Sequence, residues 1–227
     1  MTRPAPYPLH TAGCRRRGAI ARLAACALLA STLAGCALLG GSAREPSTIY
    51  APDPRAGVDP AAPSVSWQLS LSPPTGSRAI ESFRIAVRPV PDELQVYRGA
   101  RWAKTPTDML HDALLRTLED SGRIASVARQ GAGILADYKL VVDVRRFEAD
   151  YAGNAVPAAT IELNAKLIHA RDQGIVGSRT FRHVQPASGT GIDLVVAAFS
   201  TAMEAVTGEL ANWVLVTGDA HQRAAAP

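Results

Sequence analysis

Cys36 is the side chain in the most specific chemical setting. It follows Leu33-Ala34-Gly35, directly after an apolar run from Leu23 to Leu33. A thiolate is a strong nucleophile, and small residues before it leave room for a peptidase. Other groups able to do chemistry are scattered. His111, His169 and His183 are dispersed along the chain, with His111 on the exposed side of a predicted helix, while His10 lies in the first 35 residues and His221 near the end of the chain. There is no nucleophile elbow, Walker loop or paired-cysteine metal site. No catalytic residue, cofactor or metal is therefore expected, and the chain does not read as an enzyme. The glycine pair Gly131 and Gly133 lacks the context of a phosphate cradle. The densest charge is Asp143, Arg145, Arg146 and Glu148. It is either a solvated face with cross-strand ion pairs or a partner-binding surface. Trp67, Trp102 and Trp213 read as core, and Trp102, beside an expected turn, is the one that also joins Arg145, Arg146 and Glu148 as a docking candidate.

The first 35 residues carry Arg3, Arg15, Arg16, Arg17 and Arg22, and no acid precedes Glu45. A basic segment followed by a short apolar run is a secretory signal peptide. The run is about half the 20 residues that a membrane-spanning helix needs. Leu33-Ala34-Gly35-Cys36 resembles the lipobox of bacterial lipoproteins. That resemblance implies a diacylglyceryl group on Cys36, cleavage before it and an acylated amine, and several acyl chains would anchor the chain almost irreversibly. The alternative is an ordinary signal peptide that leaves Cys36 a free thiol. Ala37 stands where inner-membrane retention would have Asp, so the expected location is the cell envelope, at the outer membrane facing the periplasm. Arg15-Arg16 hints at a twin-arginine signal, but Arg17-Gly18-Ala19 follow in place of the usual apolar residues.

Removing this segment changes the composition. The formal charge of the whole chain is +4. Residues 1–35 hold five of the 24 basic residues and none of the 20 acidic ones, so the remainder is near −1. No basic footprint for nucleic acid remains. Cys14 and Cys26 leave with the signal and Cys36 takes lipid, so the domain has no disulfide and stands on its core alone.

Residues 36–63 are rich in Gly, Ala, Ser and Pro and read as a flexible tether, with Ile49-Tyr50 as a short edge contact. A single domain spans 64–217. Val65–Leu71 and Phe83–Arg88 alternate as strands, and Leu94–Tyr97 is a short strand ended by an Arg98-Gly99 turn. Thr105-Pro106 with Asp108 opens a helix that Gly122 closes. Ile124–Val127 is another strand. Strands from Tyr138 to Tyr151, Ala159 to Leu167 and Ile175 to Val184 form a meander. A helix from Ile192 to Leu215 carries one continuous apolar stripe, and residues 218–227 are expected to be a disordered tail. The fold class is α+β: a mainly antiparallel sheet with two helices packed on one face.

In one order, the chain holds the lipobox, Phe83-Arg84-Ile85-Ala86-Val87 with Pro89 and Pro91, and Arg101-Trp102-Ala103 before a helix. Val144-Arg145-Arg146-Phe147-Glu148 and the Val195–Met203 helix with Trp213 follow. Together they resemble the ABC-type transport auxiliary lipoproteins, the group that includes the paraquat-inducible protein C-like lipoproteins, over residues 47–216. The resemblance implies a non-enzymatic outer-membrane partner of an MCE-domain lipid transporter, with a permease and an ATPase in the same system, and a ring or other homo-oligomer. The docking surface would be Leu94–Trp102 with Arg145–Glu148. The family's Tyr-Tyr-x-Leu opening has its counterpart in Ile49-Tyr50-Ala51-Pro52 or in Ser66-Trp67-Gln68-Leu69, and the Leu71–Ser82 loop has no assigned place. The alternative function is a stand-alone periplasmic lipid- or small-ligand-binding lipoprotein, with Ala197, Ala198, Ala202 and Ala205 leaving a cavity under the helix.

Overall fold

Alternation of apolar and polar residues builds most of the sheet. In β2 (Val65–Leu71) the residues Val65, Trp67, Leu69 and Leu71 are buried and the residues between them are not, the two-residue period of a strand covered on one face. A computed structural model of the chain describes residues 46–225. The signal segment and Cys36 lie outside the described residues. A mixed, nine-stranded sheet is formed by β1 (Thr48–Tyr50), β2, β3 (Thr75–Gly76), β4 (Arg84–Arg88), β5 (Gln95–Trp102), β6 (Ile124–Arg129), β7 (Tyr138–Asp150), β8 (Ala158–His169) and β9 (Ile175–Pro186). Two helices, α1 (Pro106–Ser121) and α2 (Ile192–Ala225), complete an α+β fold.

The spine is β7. Along one edge it pairs antiparallel with β8, which pairs antiparallel with β9. Along its other edge it meets β2, β3 and β4 in turn, all parallel. The Leu71–Ser82 loop thus contributes β3 to the sheet. β4 pairs antiparallel with β5, and β1 adds in parallel beside β5. The longest ladders are antiparallel, as expected for a meander.

Both helices lie on one face. Thr105 caps α1, its hydroxyl accepting from the Asp108 amide at 3.2 Å, and Pro106 supplies the preset φ of a first helical residue. Gly122 ends the helix in the left-handed region at φ 61°, which glycine adopts without steric cost. Helix α2 lays Val195, Phe199, Met203, Val206, Leu210 and Val214 against the sheet, all buried. Trp102, Phe147 and Phe199 pack as a cluster, with Phe147 stacked on Phe199 at 4.8 Å between centroids.

Four expectations are corrected. Residues 218–225 are not a disordered tail. α2 runs to Ala225, about 51 Å for its 34 residues. Gly218 is not a stop: a Cβ there would meet Trp67 Cζ2 at 2.4 Å, so glycine lets helix and sheet approach. Farther on, Tyr138 Oη and His221 Nδ1 are 2.9 Å apart, which ties the end of α2 to β7. The tether over 36–63 is, from residue 46, laid against the domain. The Arg55 amide donates to Glu204 Oε1 at 3.3 Å and the Asp59 amide to Asn212 Oδ1 at 2.7 Å, and Ala62 is buried. Arg98-Gly99 is not a turn. Gly99, at φ 64°, sits where the β4–β5 register slips, so the strand bulges and continues to Trp102. His111 is buried, on the sheet-facing side of α1.

Candidate partner-docking surface

The opposite face of the sheet carries neither helix. A register shift lies between Val144 and Arg146 where β7 pairs with β8. Val144 and Phe147 both point into the core, so two successive residues, Arg145 and Arg146, face outward. A bulge has this effect because it inserts one residue into the alternation.

The two arginines then diverge. The Arg145 side chain is 46% exposed, 3.7 Å from Asp143 and 3.4 Å from Thr180 Oγ1, and it presents its charge to solvent. Arg146 turns along the strand. Its Nε donates to Glu148 Oε1 at 2.7 Å and its NH2 to Asp150 Oδ2 at 2.6 Å. From β4, Arg88 grips the same carboxylate with two bonds of 2.9 and 3.0 Å and donates to the Pro91 carbonyl at 2.8 Å. Glu148 is left with only 7% of its side chain exposed. Burial pushes its carboxyl up, but the Arg88 and Arg146 guanidiniums outweigh this and hold it below the usual carboxylate range. The fork-to-carboxylate geometry is the strong form of ion pair. Glu148 and Arg146 therefore clamp β4 to β7, whereas Arg145, with only its longer contacts to Asp143 and Thr180, is the exposed charge of the cluster.

Of the two readings of Trp102, core and docking residue, the structure bears out the first. It is 1% exposed, edge-on to Phe199 at 5.3 Å and to Phe147 at 6.0 Å. Because β5 continues past its bulge, Trp102 shares the core face with Ala100. It supports the sheet and does not meet a partner. Within the Leu94–Trp102 segment, the exposed residues are Leu94, Gln95, Val96, Arg98, Gly99 and Arg101.

The histidines are not all dispersed. His169 and His221 rings lie 5.1 Å apart, and His169 Nδ1 is 3.0 Å from Asp172 Oδ1. This contact joins residues distant in sequence, and only a helix longer than its apolar stripe suggests brings His221 there. His183 stays apart on β9. Among the described residues, no three His, Cys, Asp or Glu side chains assemble as a metal site. His111 reaches an apolar crevice between α1, α2 and the sheet, lined by Leu71, Leu110, Leu114, Leu140, Val142, Leu163 and Leu210. Burial, with Arg129 adding to it, pushes the His111 imidazole below its ordinary value. The crevice encloses about 10 Å³, room for about one water and far less than an acyl chain fills.

The family described as ABC-type transport auxiliary lipoprotein component matches residues 48–211, from β1 into α2. The chain belongs to this family. Such a lipoprotein is a lipid-anchored protein of the cell envelope. This auxiliary lipoprotein is similar to the crystal structure of protein XCC0632 from Xanthomonas campestris, of family DUF330. The two are 55% identical with a TM-score of 0.74, covering 78% of this chain and 99% of that one. A crystal structure of an uncharacterized protein shares the fold at 16% identity and a TM-score of 0.60, covering 75% and 99%. An uncharacterized protein of Bradyrhizobium diazoefficiens, bll6063, is 25% identical over 184 residues, which are 79% of this chain and 48% of that protein. The auxiliary lipoprotein thus spans about half the length of this curated relative.

Proposed function

We propose that this auxiliary lipoprotein is acylated on Cys36 and held at the periplasmic side of the outer membrane. There it docks, without catalysis of its own, on an MCE-domain protein of an ABC-type lipid transporter. The permease and ATPase of that system supply the energy, since the chain has no nucleotide-binding motif. Ala37 after the cysteine supports the outer-membrane location. The open sheet face carries the docking reading. Both helices pack on the other side, and Arg145, on the outward side of β7, presents its charge to solvent. A cavity for carrying lipid would need space under α2, and the crevice there holds about one water, which favours docking over lipid carriage.

The test is a titration of the MCE-domain protein against wild-type and Arg145→Glu lipoprotein. Reversing an exposed interfacial charge chiefly slows association and alters its salt dependence, so a loss of about tenfold at low ionic strength is expected, with circular dichroism unchanged. Equal affinity would remove this face from consideration.

A further inference from the structure

We propose that the β1 end of the open sheet face, a row formed by Ile49, Arg101 and Arg84, rests on an anionic phospholipid surface. The register sets the row. Ile49 pairs with Arg101 across β1 and β5, and Arg101 pairs with Arg84 across β5 and β4. Trp102 and Ile85, the next residues on β5 and β4, point into the core. The row therefore lies outward, and all three of its residues are exposed, Ile49 by 54%.

Like charges directly opposite one another in a sheet repel. Among the described residues neither Arg84 nor Arg101 has a salt-bridge partner, and neither has Arg98 on the bulge between them. Glu81, the acid nearest to Arg84 in sequence, accepts from the Gly76 amide at 3.2 Å, and Asp108, the acid nearest to Arg101, accepts from the Thr105 hydroxyl at 2.8 Å. On the same sheet, Arg88 and Arg146 are fully paired. Cations left opposed and unpaired beside an exposed isoleucine form a surface that an array of phosphates would satisfy.

The chain's length selects the membrane as occupant. β1 opens at Thr48, twelve positions after Cys36. Twelve residues reach at most about 40 Å when fully extended. β1 is thus the strand of the sheet nearest to Cys36 along the chain, while Arg145 on β7 lies beyond β5 and β4 in the sheet order. Each arginine close to an anionic surface contributes about a fivefold gain in binding. That is modest alone, but the tether supplies a high effective concentration. The proposal rests on lipid anchoring through Cys36.

Because the processed chain has no cysteine besides Cys36, Ile49→Cys gives a single labelling site for a polarity-sensitive fluorophore on the full-length acylated protein. It is reconstituted into phosphatidylcholine liposomes with and without about one third phosphatidylglycerol. The expected result is a blue shift in the anionic liposomes only. Arg84→Gln or Arg101→Gln should each lower the docked-to-free ratio about fivefold, and the same label on Val184→Cys of β9 should not shift. Protein that floats with the liposomes but shows no shift, or a shift that survives both glutamine substitutions, overturns the proposal. In the first case the arginines become candidates for an acidic protein surface instead. Protein that does not float overturns the anchor reading, and the proposal with it.

Discussion

Glu148 is the residue on which the geometry makes its sharpest demand. Its carboxylate is nearly buried and takes hydrogen bonds from Arg88 and Arg146. Glu148→Gln keeps the shape but removes the charge that both guanidiniums face. Hydrogen bonds to charged groups contribute about 1.5–3 kcal/mol, and both arginines are partly exposed, so a loss near 2 kcal/mol is expected by denaturant titration. The pH dependence follows from the depressed carboxyl. Above its unfolded value of 4.5 the stabilisation is fully present, and it is lost as pH falls from there through the lower folded value. The difference in stability between wild type and Glu148→Gln should therefore shrink below about pH 4.5. A constant difference down to pH 3 would mean that the charge is not what holds β4 to β7. Of this cluster, sequence patterning showed Arg145, Arg146 and Glu148 but missed Arg88 and Asp150, because their meeting depends on the β4–β7 register. The Arg98-Gly99 turn was misread for a local reason: a glycine able to adopt positive φ marks a bulge as readily as a turn.

At the scale of elements, periodicity was sufficient where strands are covered on one face and helices carry regular caps. Thr105, Pro106 and Gly122 mark both ends of α1 as expected. Patterning failed where a glycine serves packing and not termination. Gly218 resembles a helix stop, yet it is there for the ring of Trp67. Gly208 is similar, since a Cβ on it would meet the Gly57 carbonyl oxygen at 2.9 Å. These contacts explain why a Pro- and Gly-rich segment is ordered: its amides find acceptors on α2. Gly208→Ala sets two effects against each other. Alanine gains about 1 kcal/mol of helix propensity over glycine, while forcing a backbone apart costs about 1–3 kcal/mol. The clash should win, lifting residues 55–59 off α2. Faster tryptic cleavage after Arg55 should report this. A stabilised variant with unchanged cleavage would mean that the segment is only loosely attached.

For the whole molecule, the division of faces organises the functional account. One side of the sheet is consumed by α1 and α2. The other is open, with Arg84 and Arg101, which have no salt-bridge partner among the described residues, at the β1 end and Arg145 on the spine strand. Family and fold class were legible in the sequence, whereas the open face was not, because it depends on which side of the sheet both helices choose. The most direct test is gentle affinity purification of the tagged full-length lipoprotein from native membranes, with wild type and Arg145→Glu compared side by side. The account predicts that wild type brings down an MCE-domain protein with its permease and ATPase, and that the variant recovers markedly less of all three. A partnerless lipoprotein, in a preparation where another envelope complex survives intact, would contradict it.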